Sequence, residues 1–302
     1  EKLRYKGSWR DADKTLEYCW PVYKKLARDP KLTLAMSRRL IKKIKRGKIK
    51  GDAIVPCIMP LGFLKTNQSR QLLITATRSD ISQVIFTAAK CLLIRNDPVG
   101  KDAMINAIAT HHRRDIPSGA IGERFIGMLK REDAAILPKL TKDYLQNPQY
   151  IKKKSRYSSN EEGRGWPIRL IAALAKVDEK QIPVYEEVIA ELGRPKQRPA
   201  DGDWSKATGG YNTEVLVDAS KTYYRPSIGK RLAAAIGYIG NDYNCEISDT
   251  ISVLTKLSPA DCTPTLAKLL KRPTPLRVKI AIIDASKKLD IPGMPEKLVE
   301  WS

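Results

Sequence analysis

Apolar residues recur every three or four positions along nearly the whole chain, and the strict alternation expected of a half-buried strand is scarce. Such spacing lines apolar side chains along one side of a helix and leaves the other side to water, which constrains the chain to an all-α fold. The predicted helices cover about 32–46, 70–78, 82–95, 100–111, 119–131, 134–146, 166–177, 181–193, 228–240, 245–257, 262–272 and 275–289. Most are roughly three turns long. Between them stand residues that stop a helix by their own chemistry, as at Asn96, Asp97 and Pro98, at Gly193 and Pro195, at Gly240, Asn241 and Asp242, and at Arg272 and Pro273.

Several of these helices also share a pattern. Val84 is followed by Ala88, Ala89, Leu92 and Leu93; Ile168 and Arg169 by Ala172, Ala173 and Val177; Ile228 by Leu232, Ala233, Ile236 and Gly237; Leu276 and Arg277 by Ile280 and Ala281. A small pair four and five positions after the anchor lets two helices approach closely, while the apolar residues a turn away face a neighbour. The pattern resembles the second helix of HEAT repeats. The anchors lie 84, 60 and 48 residues apart. The first interval fits two units of the roughly 40–47 residues that HEAT repeats span, with a degenerate unit around Phe125, Ile126 and Leu129. The second needs an insertion, expected as an irregular stretch over 194–227, where Gly, Pro and aromatic residues gather.

The resemblance implies a HEAT-like α-α superhelix, a right-handed solenoid of about six helical repeats. Residues 1–75 are expected to form basic, atypical capping repeats and residues 76–295 the repeats proper, either as distinct segments or as one continuous solenoid. An irregular all-helical domain is the alternative that the residues allow.

Charge narrows the range of partners. Among 302 residues there are 55 Lys and Arg against 33 Asp and Glu, a net of +22, and 42% of the chain is apolar. That apolar share is enough for a folded core, and no apolar run reaches the ~18–20 residues of a bilayer span. Residues 1–52 carry 17 basic and 6 acidic side chains, a net of +11, whereas 201–302 carry 14 and 12, a net of +2. A field weighted to one end steers anionic partners to that end.

Two clusters stand out within it. Between Ser37 and Gly47, Leu40, Ile41 and Ile44 share one helical face, leaving Arg38, Arg39, Lys42, Lys43, Lys45 and Arg46 around the others. This basic amphipathic helix suits a phosphate backbone, an anionic membrane surface or an acidic protein, or else a solvated face whose long stems cover core. Lys152, Lys153, Lys154 and Arg156, set between Tyr150 and Tyr157, read either as phosphate contacts beside stacking surfaces or as a merely solvated loop. The insertion adds Trp204, Tyr211, Tyr223 and Tyr224, read either as a partner loop or as aromatics packed back on the repeats.

No catalytic set emerges. The two histidines, His111 and His112, are adjacent, so their side chains diverge around a helix and cannot jointly chelate a metal. Asp97 to Lys101 imitates a phosphate loop but lacks its first Gly and the Ser or Thr after Lys. The five cysteines, Cys19, Cys57, Cys91, Cys245 and Cys262, form no CxxC pair and read as reduced thiols, with Cys91 packed as a small hydrophobe. No metal and no cofactor is expected.

The expected function is therefore a non-enzymatic scaffold that binds an acidic protein or nucleic acid through its basic surface. A subunit of a larger assembly is the first alternative. A DNA glycosylase for alkylated purines, another HEAT-like fold, is the second; only Trp166 occupies a repeat position suited to its nucleotide-holding Trp, and no Asp partner lies a turn away. The chain begins with Glu1, so a preceding signal peptide is one expectation, and the compartment stays open between cytoplasmic and exported.

Overall fold

A computed structural model describes residues 20–110, 117, 119–146, 162–192, 213–238, 244–271, 274 and 276–301. Among them the regular structure is helical, without a strand. The chain divides into two compact units, residues 1–139 with 159–167, and residues 140–158 with 168–302.

In the first unit, a helical stretch over 20–26 leads through a turn into α1 (Pro30–Lys45), followed by α2 (Val55–Ile58), α3 (Pro60–Phe63), α4 (Asn67–Ala76), α5 (Ser82–Ile94), α6 (Pro98–Thr110) and α7 (Gly119–Gly127). A 3-10 segment over Arg131–Ile136 then enters α8 (Leu137–Gln146), which runs across the boundary between the units. Helix α5 is the centre of this unit. Val84 to Leu93 are all buried on it, and it packs against α2, α3, α4, α6 and α7. A mostly apolar helix belongs inside, and α5 is mostly apolar, with Thr87 and Lys90 the polar residues in its buried span.

Two glycines make the close packing around α5 possible. A Cβ at Gly100 on α6 would lie 2.7 Å from both Leu92 Cβ and Leu93 N, and one at Gly62 on α3 would lie 3.2 Å from Cys91 Cα and Cβ. Helix α5 ends where the sequence placed its stop. Asn96 adopts a left-handed φ of 57°, the Asp97 N–H reaches back to the Leu92 carbonyl at 2.9 Å, and Pro98 opens α6. Leu73 and Ala76 of α4 share one core with Val84, Ala88 and Leu92 of α5.

In the second unit, α9 (Glu162–Val177, of which residues 168 onward belong here) is followed by a 3-10 turn over Glu179–Gln181, then α10 (Ile182–Leu192), α11 (Thr213–Thr222), α12 (Pro226–Tyr238), α13 (Asn244–Leu257), α14 (Pro259–Leu269), α15 (Leu276–Ser286) and α16 (Met294–Trp301). From α10 to α15 each helix packs on the next but one: α10 on α12, α11 on α13, α12 on α14 and α13 on α15. Tyr185, Val188, Leu216, Ile228, Leu232, Ile251, Leu254, Leu266 and Ile282 are buried among them.

The expected helices agree with the observed ones to within a few residues at most ends. The sequence reading missed α2, α3, α11, α16 and the stretch over 20–26. Residues 53–64 are apolar without a helical stripe and are broken by Pro56, Pro60 and Gly62, which leaves two single-turn helices packed against the core, with Cys57, Ile58 and Leu61 buried. Helix α11 lies inside the stretch expected to be irregular, where Val215, Leu216, Val217 and Ala219 are buried. Cys57, Cys91 and Cys262 are free and buried.

Candidate functional site

The basic helix is α1. Asp29 opens it, its carboxylate accepting the Leu32 N–H at 3.0 Å, and Pro30 fills the first turn. Gly47 closes it at a φ of +68°, the Gly47 N–H donating to the Ile44 carbonyl at 2.8 Å and the Lys48 N–H to the Lys43 carbonyl at 3.0 Å. Thr33, Leu34, Ser37 and Ile44 are buried, with Leu40 and Ile41 partly so, and this face rests on α2, α3 and α4. The preceding helical stretch uses the same core: Trp20 meets Phe63 edge-on at 5.7 Å, and Tyr23 stacks on it at 6.4 Å.

The cations occupy what the core does not use. Arg38, Arg39, Lys42, Lys43, Lys45 and Arg46 are all exposed, and so are Lys24, Lys25, Arg28, Lys31, Lys48 and Lys50. Residues 20–50 thus hold twelve exposed basic side chains and one acid, Asp29, whose carboxylate is engaged in capping α1. Among the described residues no carboxylate pairs with any of the twelve. The last-turn residues Lys42, Lys43 and Lys45 complement the carbonyl end of the helix. The same dipole disfavours Lys31 at the opposite end, so helix stability does not account for the whole cluster.

Several cations elsewhere are matched by carboxylates. Arg70 Nε and Nη2 reach the two Asp97 oxygens at 2.5 and 3.2 Å. Lys101 Nζ sits 3.0 Å from both oxygens of Asp133. Arg225 Nε meets Glu186 at 3.0 Å. Asp97 and Lys101, which bracket the loop that imitates a phosphate site, are therefore both occupied in ion pairs that join helices.

Exposed large apolar side chains fall into two sets. Val22, Leu26, Leu32 and Met36 belong to the first helices of the first unit, and Leu276, Ile280, Leu298 and Val299 to the last helices of the second. On α1, Leu32, Met36, Arg39, Lys43 and Arg46 follow one another at intervals of four and three, which draws a single stripe along the helix. It runs on the side away from the buried residues, apolar at its start and cationic at its end.

The Lys152, Lys153, Lys154 and Arg156 cluster lies outside the described residues, as do Trp204, Tyr211, His111 and His112. Of the third group, Tyr223 stacks on Tyr185 at 6.0 Å, accepts the Tyr185 hydroxyl at its carbonyl at 2.9 Å, and lies under the Arg225 guanidinium. Tyr224 covers Gly229, where a Cβ would lie 2.5 Å from its hydroxyl. These tyrosines are half-buried and engaged within the second unit. Nothing is described of the Trp166 side chain.

Among the described residues, two surface grooves are of a size for small molecules. One of about 500 Å³ lies between α13 and α15, lined by Ser248, Asp249, Ser252, Arg277, Ile280 and Asp284 among others. One of about 280 Å³ in the first unit is lined by Thr77, Arg78, Val99, Asp102 and Asn106 among others. Neither lining includes a His or Cys. The described residues contain no group of three His, Cys, Asp or Glu placed to hold a metal, and none of their helices is long and apolar enough to cross a membrane.

Comparison with protein-family models, with curated proteins and with solved structures finds no match. Sequence reasoning found the six cations of α1 but not Lys24, Lys25, Arg28 and Lys31 as part of their surface, nor the four apolar side chains among them. The signal was present at residues 20–31, where Lys24, Lys25, Arg28 and Lys31 follow one another closely in the sequence.

Proposed function

We propose that this protein is a non-catalytic binding module, a HEAT-like array of helices that docks an anionic macromolecule, an acidic protein or nucleic acid, through the basic surface of α1 and the helical stretch before it. One observation carries the reading: twelve exposed cations against a single, already engaged carboxylate over residues 20–50, with no ion pair among them. Like charges held this close repel one another, and a polyanion relieves that repulsion while releasing its own counterions. The stacking of each helix on the next but one from α10 to α15 supports the repeat-array part of the reading.

Titration of duplex DNA, single-stranded RNA and a polyglutamate peptide at a series of salt concentrations tests it. Binding that weakens steeply between about 50 and 200 mM salt is the expected result. It should fall away when Arg38, Arg39, Lys42 and Lys43 are changed together to Glu. Binding indifferent to salt, or unchanged in that variant, overturns the reading.

A second reading, a subunit of a larger assembly, is favoured by the apolar side chains of α15 and α16. Leu276 is 73% and Val299 78% exposed. Light scattering across a concentration series tests the form in which copies of this chain associate. A one-chain mass throughout counts against that form.

A further inference from the structure

Resting on the basic docking surface proposed above but replacing its acidic protein or nucleic acid with a different anionic partner, we infer that the α1 surface meets an anionic lipid bilayer, entered by Leu32, Met36, Val22 and Leu26 while the surrounding Lys and Arg side chains hold its headgroups.

The twelve cations alone would suit any polyanion; the apolar side chains among them do not. On α1 the outermost stripe begins with Leu32 and Met36, 55% and 46% exposed, and continues through Arg39, Lys43 and Arg46. Beside it Lys31, Ala35, Arg38, Lys42 and Lys45 keep the same four-and-three spacing and are exposed throughout. In the preceding helical stretch Val22 and Leu26 stand one turn apart and are 41% and 44% exposed, while the Trp20 and Tyr23 rings beside them pack on Phe63. The turn between the two stretches is tied by the Thr33 hydroxyl, which donates to the Leu26 carbonyl at 2.6 Å. Both therefore rest on the same core cluster and turn apolar side chains away from it.

A phosphate backbone draws on the cations and leaves four apolar side chains in water. A bilayer with anionic headgroups satisfies both chemistries: apolar side chains enter the boundary between headgroups and acyl chains, and Lys and Arg stay at headgroup level with their stems lying along the apolar layer. The arrangement is that of an interfacial surface, which lies on the membrane without spanning it.

The experiment is co-sedimentation of the full chain with vesicles of phosphatidylcholine alone and of phosphatidylcholine with 30% phosphatidylserine, set beside duplex DNA and polyglutamate titrations. Three proteins are compared: wild type, Leu32→Ser with Met36→Ser, and Arg39→Glu with Lys43→Glu. All substituted positions are exposed, and far-UV circular dichroism verifies that the variants remain folded. Wild type is expected on the phosphatidylserine vesicles and not on the neutral ones. The Ser variant, whose charge is unchanged, should lose about tenfold in vesicle affinity while retaining its binding to DNA or polyglutamate. The Glu variant should lose both.

Equal vesicle binding by wild type and the Ser variant overturns the insertion of Leu32 and Met36. Binding to DNA or polyglutamate with none to vesicles overturns the bilayer as partner and leaves the docking role standing. No binding to any of the anionic probes overturns both.

Discussion

Lys101 Nζ on α6 stands 3.0 Å from each carboxylate oxygen of Asp133, and both side chains are buried at 7% exposure. Asp133 also accepts the Lys130 N–H at 2.7 Å, so one carboxylate joins α6 to the 3-10 segment and caps that segment as well. Removing one partner strands a buried charge. Lys101→Met is expected to lower stability by about 3 kcal/mol, seen as a lower urea midpoint. Adding Asp133→Asn removes the stranded charge and keeps an acceptor for Lys130. The double variant should therefore be more stable than Lys101→Met alone. If the two losses simply add, the residues are not coupled.

Asp97 gives the first unit an acid-sensitive link. Burial would raise its pKa, but hydrogen bonds from Arg70 and the Val99 N–H, with the charges of Arg70 and Arg95, hold it below the ordinary 3.8. The unfolded chain then binds more protons on the acid side, so this contribution is fully present above the ordinary value and is lost as pH falls through the folded one. Wild-type stability should decline as pH falls from about 5 to about 3, and Asp97→Asn should flatten that decline. Urea melts at successive pH values measure both slopes; parallel slopes would rule out this role for Asp97.

The packing around α5 should show an order of tolerance. Gly100→Ala places a methyl 2.7 Å from the Leu93 backbone nitrogen, where only separation of α5 from α6 makes room. Gly62→Ala meets Cys91 at 3.2 to 3.3 Å, a contact that a small shift relieves. Gly100→Ala is expected to cost about 2 kcal/mol or more and Gly62→Ala less. Thermal melts of the two variants rank them, and the reverse order would refute this account of the α5 interface.

Thiol chemistry reports on the same core. Cys91 is fully buried, and burial pushes its thiol up to about 12, against the weaker opposing effects of the Gly62 backbone and the Arg95 and Lys90 charges. Burial also raises Cys57 and Cys262. A maleimide at neutral pH should label these three only as the chain unfolds, with Cys91 following global unfolding of its unit. Mass spectrometry of labelled peptides across a urea series gives the readout. Rapid labelling of Cys91 in native buffer would show that α5 opens locally.

Much of the architecture was legible in local chemistry. The run from Val84 to Leu93, the stop at Asn96 and Pro98, and the stop at Gly47 are decided by residues within a few positions of one another, because periodicity, capping and left-handed backbone preference act over a single turn. Helices α2 and α3 escaped the reading because their apolar residues, broken by Pro56, Pro60 and Gly62, carry no helical stripe. Helix α11 was obscured by its Gly- and Pro-rich surroundings.

The sequence alone determined an all-helical chain with its charge concentrated near one end. Only the tertiary structure decided which charges and which apolar residues are free. Lys101 and Arg70 look no different in sequence from Lys42 and Arg39, yet the first two are matched by carboxylates 32 and 27 positions away, while among the described residues no carboxylate pairs with the second two. Leu32 and Leu34 are equally apolar, but one turns outward and the other into the core, because α2, α3 and α4 cover just one side of α1. Spacing along a chain defines the faces of a helix; what packs against each face depends on residues far away in sequence, and that packing leaves the surface that meets a partner.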